Sequence, residues 1–412
     1  MTPSESLKTL INSSSFATVS TCALYAITEL GIHRSTQWTH PRTGRRKQLT
    51  GSLPFGWEMK ILDDGKVIYV DHENQKTTYT DPRLAFAVED GSLKQSQFRQ
   101  RFDASSTALQ VLHGSDLSRT VAVVTGAGTG GIGFETARSL ALHGATVVFA
   151  CRTMAKATEA AGAVLAERAR ARCVPMQVEL TSLRSVTEFT RELMAKHTKL
   201  DILVLNAGVF GIGFRTTPED GLEEMFQVNF LSQFYLASRL KTLMSKSTKP
   251  RMVVVTSESH RFVDPSALWQ NPSSAFTSSM EAYNRSKLLA LMFALEAGER
   301  WHGLGVRGLA VHPGNVVCTG LSRHFWPYRV LFALARPFAK SLQQAASSVV
   351  FAACAPELAD SAGIYVNNCF PCEPSAAAMD SAARKKCWKM AVNLIRDRVA
   401  PEDFDENELS IS

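Results

Sequence analysis

Nine residues, Thr125-Gly126-Ala127-Gly128-Thr129-Gly130-Gly131-Ile132-Gly133, restrict what most of this chain can become. They follow Val121-Ala122-Val123-Val124-Thr125, a continuous and mostly β-branched run of the kind a strand buried on both faces needs. They precede Phe134 to His143, which reads as a helix. Glycines in such a turn let the backbone approach a pyrophosphate, which the positive end of the following helix then holds. Thr146 to Ala150, Asp201 to Leu205, Met252 to Thr256 and Gly308 to Val311 supply further buried strands. Helical segments lie between them. The alternation predicts an α/β fold: a Rossmann-like doubly wound parallel sheet with helices on both faces.

A second constellation lies downstream. In Tyr283-Asn284-Arg285-Ser286-Lys287 the Tyr and Lys are four apart, so on a helix they share one face. The Lys287 ammonium is expected to lower the Tyr283 pKa, so that the phenol exchanges a proton with an alcohol or carbonyl near neutral pH. Four other pieces fall in order with the pair. Asn206-Ala207-Gly208 ends the fourth strand, Asn229 sits on the next helix, Ser257 follows the fifth strand, and His312-Pro313-Gly314 follows the sixth. Singly, each has a plainer reading: Ser257 as a cap, Asn229 as a packing amide, Lys287 as a solvated charge.

In this order the elements resemble the short-chain dehydrogenase/reductase family over residues 117–375. That resemblance implies a nicotinamide cofactor on Thr125, Gly126, Gly131, Ile132, Gly133, Asn206, Ala207, Gly208, Pro313 and Gly314, with Tyr283 and Lys287 reaching the same site. It implies that Tyr283 is the proton donor or acceptor and that Ser257 hydrogen-bonds the substrate oxygen. Lys287 would hold the ribose, and Asn229 a water linking Lys287 to solvent. Arg152 ends the second strand where an acid would select NAD, so NADP(H) is expected. Glu179 stands where the family has an Asp near the adenine. The turn itself departs from the pattern: Ala127, Gly128, Thr129 and Gly130 make four residues between Thr-Gly and Gly-Ile-Gly, where the family has three.

A small module precedes this domain. Leu53-Pro54-Phe55-Gly56-Trp57-Glu58 opens it and Thr77-Thr78-Tyr79-Thr80-Asp81-Pro82-Arg83 closes it, with turn sequences at Asp63-Asp64-Gly65 and Glu73-Asn74-Gln75. The pattern predicts a three-stranded antiparallel meander over 53–86, stapled by Trp57 against Tyr69 and Pro82. It resembles a WW domain, which implies a groove for proline-rich peptides at Ile68, Val70, His72, Thr77 and Tyr79. An aromatic is missing at Ile68, and Tyr79 replaces the second signature Trp, so weak peptide binding is expected. Thr36-Gln37-Trp38-Thr39-His40-Pro41-Arg42 repeats the closing segment 41 residues earlier. With no opening strand before it, this remnant over 36–50 is not expected to fold. Residues 1–35 read as divergent or disordered, 87–116 as a linker, and 376–412 as a C-terminal helix with an acidic tail.

Composition sets outer limits. The apolar and charged fractions of 45% and 20% are those of an ordinary globular protein. No apolar run of about 18 residues appears, so no transmembrane segment is expected. Phe16 to Ile32 lacks a basic lead-in and does not read as a signal peptide. Phe325 to Phe338, rich in Phe, Leu and Trp and holding Arg329 and Arg336, suggests a lid or helix over a hydrophobic pocket, with membrane contact as the alternative. The eight cysteines form no metal set, and reduced thiols in a cytoplasmic protein are the expectation. Gly44-Arg45-Arg46-Lys47 is either a nuclear import signal or a basic linker. Nothing points to nucleic acid, and a homodimer stays open. Two functions remain: an oxidoreductase acting on a hydrophobic alcohol or ketone of steroid or retinoid type, or a non-catalytic, tumour-suppressor-like adaptor for proline-rich partners.

Overall fold

The computed structural model describes residues 47–48, 53, 57–62, 67–72, 75–78, 82, 88–89, 100–211, 219–263, 268–269, 271, 278–314 and 340–405. The N-terminal 1–35, the repeat at 36–42, Tyr79, Phe325–Phe338 and the tail beyond 405 lie outside the described residues. A two-residue strand β1 (Lys47–Gln48) pairs antiparallel with β5 (Val88–Glu89). Between them in sequence, β2 (Trp57–Ile61), β3 (Val67–Asp71) and β4 (Lys76–Thr78) form the three-stranded antiparallel sheet in the order β2-β3-β4. Strand alternation in β3 buries Tyr69 and Asp71 and turns Ile68 and Val70 to the other face. Thr77 pairs with Val70 and so joins that second face, as does Glu58 from β2.

The large sheet has eight strands: β6 (Val121–Thr125), β7 (Thr146–Cys151), β8 (Arg172–Gln177), β9 (Ile202–Leu205), β10 (Arg251–Val255), β11 (Arg307–His312), β12 (Ile364–Asn367) and β13 (Phe370–Cys372). Their order is β13-β12-β11-β10-β9-β6-β7-β8, and all pairs are parallel except β12–β13. The chain runs outward from β6 through β7 to β8, then returns to place β9 on the other side of β6. Crossovers therefore leave in opposite directions from β6 and β9. A crevice opens between their carboxyl ends, where ligands bind in such sheets.

Helices cover both faces because each strand is apolar on both. In β6, Val123 enters one core while Ala122 and Val124 enter the other. The Val123 side carries α4 (Leu183–Lys196), α5 (Ser232–Met244), α6 (Ser279–Arg300) and α8 (Ser381–Arg396). The opposite side carries α1 (Ala108–Val111), α2 (Ile132–Leu142), α3 (Met154–Glu167) and α7 (Leu342–Cys354). Side-chain caps at Thr153, Ser182, Ser278 and Ser341 start α3, α4, α6 and α7 by accepting from amides of the first turn. Helix α2 differs: Gly131 starts it without a capping side chain.

The domain gathers more chain than its strand pattern announces. Ala104, Ala108 and Leu112 are buried in the core, and Phe102 meets Phe351 edge-on at 6.3 Å. Phe102, Ala104, Ala108 and Leu112, expected within a linker over 87–116, thus join the core beside α7. At the other end, Trp388 of α8 fills a cage of Phe234, Phe293 and Trp301, with ring centroids 4.8, 6.1 and 5.8 Å away. Beside it Arg384 bonds Glu296 at 3.3 Å and Glu299 at 2.5 Å, and Arg300 bonds Glu296 at 2.8 Å. These contacts fix α8 to α6, the helix that carries Tyr283 and Lys287.

Candidate active site

Thr125 braces the crevice between β6 and β9. Its hydroxyl accepts from the backbone amides of Asn206 at 2.9 Å and Ala207 at 3.0 Å, and donates to Gln233 Oε1 at 3.1 Å. Asn206 Nδ2 returns a bond to Thr125 O at 2.9 Å. Gln233 Nε2 donates to Ala207 O at 2.7 Å, which ties α5 to the same loop. Gln233 escaped sequence reasoning. The only signal was its spacing, four residues after Asn229 and hence on the same helical face.

The glycine-rich turn closes over this brace. A Cβ at Gly133 would lie 2.3 Å from Asn206 Nδ2 and 2.5 Å from Gly126 O, so only glycine permits α2 to start this close to the strand end. The extra residue is taken up away from that contact. Thr129-Gly130 forms an exposed turn with Gly130 at φ +74°, and Thr129 Oγ1 donates to Glu159 Oε1 at 2.7 Å. The insertion therefore bulges toward α3, while Gly126 N keeps its 2.8 Å bond to Ala150 O. Gly131 leaves the first-turn amides of α2 without a side-chain cap, an arrangement suited to an anion. At the end of β7, Arg152 is about half exposed, with Nε 3.5 Å from Glu179 Oε2.

Ser257 and Tyr283 come together: the Ser257 hydroxyl faces the Tyr283 phenol closely enough to draw its pKa down. Ser257 also caps the turn that follows it, accepting from Ser259 N at 3.2 Å. Lys287 lies one turn beyond Tyr283, its Nζ 5.7 Å from the ring centroid and 3.1 Å from Val255 O. The expected electrostatics need correcting. Poor hydration of the enclosed phenol pushes Tyr283 up to about 12, and the Ser257 hydroxyl, not Lys287, is what pulls it back. Burial also drives Lys287 down to about 8. Enclosure, not Lys287, therefore sets the direction of the Tyr283 shift. Phe210 stands edge-on to Tyr283 at 5.3 Å and gives the site an apolar wall.

Asn229 lies in a π-helical turn, Gln227–Leu231, a distortion that recurs at functional sites. Its Oδ1 accepts from Val209 N at 2.7 Å, and its Nδ2 donates to Val209 O at 3.0 Å and Ser286 Oγ at 3.0 Å. The side chain therefore clamps the loop after β9, a role the sequence did not suggest. A Cβ at Gly208 would lie 3.3 Å from both Asn229 Oδ1 and Lys287 Nζ, so the three residues do converge. Pro313 and Gly314 follow β11, and buried Lys340 lies across them with Nζ 3.5 Å from Pro313 O and 2.6 Å from Asn368 Oδ1. Burial lowers Lys340 to about 8. Lys340 was not foreseen, because nothing local in the sequence marks it.

The peptide-groove candidates Ile68, Val70, His72 and Thr77 belong to the small module, and among the described residues they meet none of this site. Glu58 bonds His72 at 2.9 Å and Lys60 at 3.2 Å. No described helix is long and apolar enough to cross a membrane, and no His, Cys, Asp and Glu group among the described residues suits a metal.

A family model for short chain dehydrogenases matches residues 120–327. A WW domain-containing oxidoreductase from Drosophila melanogaster is 48% identical over 377 residues, covering 90% of this chain and 91% of that protein. Retinol dehydrogenase 14 from Mus musculus is 34% identical over 287 residues, covering 65% of this chain and 84% of that protein. Among solved structures, an uncharacterized protein from Mycobacterium paratuberculosis has a TM-score of 0.55 at 25% identity, covering 72% of this chain and 97% of that one. Site geometry, matched family and coverage agree: this chain belongs to the short-chain dehydrogenase/reductase family, and within it to the WW domain-containing oxidoreductases.

Proposed function

We propose that this oxidoreductase uses NADP(H) to interconvert a hydrophobic alcohol and its carbonyl compound, with Tyr283 as the proton-transferring group. The observation that carries the reading is the Ser257–Tyr283 hydroxyl pair with Lys287 one turn away. The residues around the crevice fit the cofactor. The uncapped start of α2 suits a pyrophosphate, and Thr125, Gly126, Gly131, Ile132 and Gly133 form the close-packed turn beside it. Asn206, Ala207 and Gly208 would border the nucleoside, Lys287 the ribose, and Pro313 and Gly314 the nicotinamide. Arg152 suits a 2′-phosphate, which favours NADP(H) over NAD. Bound there, the nicotinamide supplies hydride chemistry.

The remaining work falls to the chain. Ser257 hydrogen-bonds the substrate oxygen, and Tyr283 Oη gives that oxygen a proton in reduction and takes it back in oxidation. A tyrosinate left at 283 is an anion in a partly enclosed site, and the Lys287 ammonium one turn away is the cation placed to stabilise it. Phe210 and the kinship with a retinol dehydrogenase favour an apolar substrate of retinoid or steroid type. For the small module, the same reading assigns weak binding of proline-rich peptides at Ile68, Val70, His72, Thr77 and Tyr79. The charged pairs of Glu58 on that face oppose tight binding. The test is NADPH consumption by the full chain with retinaldehyde, steroid ketones and simple carbonyls. Turnover is expected with at least one apolar carbonyl. Bound NADPH with none consumed across the panel would overturn the enzyme reading.

A further inference from the structure

Ser257 can serve Tyr283 only if its backbone holds the hydroxyl in place, and one buried ring governs that backbone. His260 is 1% exposed. Its Nε2 lies 3.1 Å from Ser375 N, a group that can only donate, so Nε2 is the acceptor. The ring proton then resides on Nδ1, which donates to Ser257 O at 2.6 Å. His260 N donates to the same carbonyl at 3.1 Å. The ring is also held in plane, because Tyr365 of β12 meets it edge-on at 5.4 Å. The rest of the turn is anchored in the same direction. Glu258 accepts from Tyr365 Oη at 2.6 Å, Asn367 Nδ2 at 3.3 Å and Arg261 Nε at 2.6 Å, and Arg261 reaches Glu373 O at 2.7 Å. The turn carrying Ser257 is therefore tied to the hairpin β12–β13 and the chain just after it, far from the glycine-rich turn.

We propose that His260 is a positioning residue for Ser257: its Nδ1–H, fixed in that tautomer by the Ser375 amide, sets the Ser257 carbonyl and hence the aim of the Ser257 hydroxyl at Tyr283. The inference rests on the assignment of Tyr283 and Ser257 above. Burial pushes His260 down to about 4, in keeping with a neutral ring over the working pH range. No covalent step is involved.

Three substitutions separate this role from mere space filling. His260→Asn places an amide donor where Nδ1 stands and loses the Ser375 bond. His260→Gln keeps an acceptor for Ser375 and loses the donor to Ser257. His260→Phe loses both. With NADPH and retinaldehyde, kcat of the Asn variant should stay within about threefold of the unsubstituted chain. The Gln and Phe variants should fall more than about tenfold, as misaimed catalytic groups do. The dissociation constant for NADPH should change less than about twofold in all three, since neither bond touches the cofactor turn. A second readout needs no turnover: an ultraviolet titration of the Tyr283 phenol, assigned by its loss in Tyr283→Phe. The phenol should titrate higher in the Gln and Phe variants than in the Asn variant. If kcat and phenol titration follow only melting temperature across the three variants, the positioning role is wrong. If the unsubstituted chain turns nothing over, the proposed function falls, and the phenol titration alone decides the role of His260.

Discussion

Gly133→Ala tests the geometry on which cofactor binding depends. The new methyl would stand 2.3 Å from Asn206 Nδ2 and 2.5 Å from Gly126 O, against about 3.5 Å for comfortable contact. Asn206 can swing aside, but only by giving up its 2.9 Å bond to Thr125 O. Gly126 O is backbone, fixed where β6 ends, so the start of α2 must retreat by about 1 Å. Overpacking of this kind costs about 1–3 kcal/mol. A lost internal hydrogen bond adds about 0.5–1.5 kcal/mol. The sum is about 1.5–4.5 kcal/mol. At about 2–4 °C per kcal/mol for a domain approaching this size, the melting temperature should fall by roughly 3–18 °C. NADPH should bind more than about tenfold more weakly, because the retreating helix carries the amides assigned to the pyrophosphate. Gly128→Ala is the stability control: its nearest protein neighbour is Cys151 Sγ at 4.0 Å, and it should leave the melting temperature nearly unchanged. Differential scanning calorimetry and fluorescence titration with NADPH measure the two effects. A Gly133→Ala variant that melts and binds like the unsubstituted chain would show that α2 does not need this close approach to Asn206 and Gly126.

Arg152→Asp should raise the dissociation constant for NADPH far more than that for NADH, read by parallel titrations; equal changes would remove the case for NADP(H). Stability should decline in acid in two stages, followed by urea midpoints from neutral pH downward. Between about 6.5 and about 4 the unfolded chain protonates His260 while the folded chain does not, so up to about 3 kcal/mol present above that window is lost within it. Below 4.5 the Glu258 carboxyl adds to the loss. Burial would raise that carboxyl, but Arg261, His312, His260 and the Tyr365 hydroxyl outweigh it and hold it at about 2. His260→Asn should flatten the first stage and spare the second. Arg384→Met should cost about 3 kcal/mol by removing one of the two cations paired with Glu296, which is 2% exposed and keeps only Arg300 of that pair. Adding Glu296→Leu should restore part of that loss; a double variant less stable than Arg384→Met would contradict it.

The sheet and the Tyr-Lys pair were legible because their signals are local: buried β-branched runs, a turn between strand and helix, a four-residue spacing. The site's supports were not, because each joins residues far apart in sequence. Gln233 reaches Thr125 across 108 positions and Ser375 reaches His260 across 115. The protonation of Tyr283 escaped for a related reason. Spacing predicts the company of Lys287 but not the enclosure of the phenol, and enclosure dominates. In the glycine-rich turn the sequence disclosed one residue too many without saying where it goes. The left-handed Gly130 and the Thr129–Glu159 bond place it outside the contact between α2 and Asn206.

The role of Tyr283 is tested most directly by steady-state NADPH oxidation with retinaldehyde by the full chain and by Tyr283→Phe, with NADPH binding measured on both. The unsubstituted chain should turn over, with kcat lowered by about 100-fold or more in the Phe variant, the loss expected on removing the proton-transferring group. NADPH should bind the two with dissociation constants within about twofold. A Phe variant that turns over at the unsubstituted rate would contradict the assignment of Tyr283, and with it the mechanism built on Ser257 and Lys287.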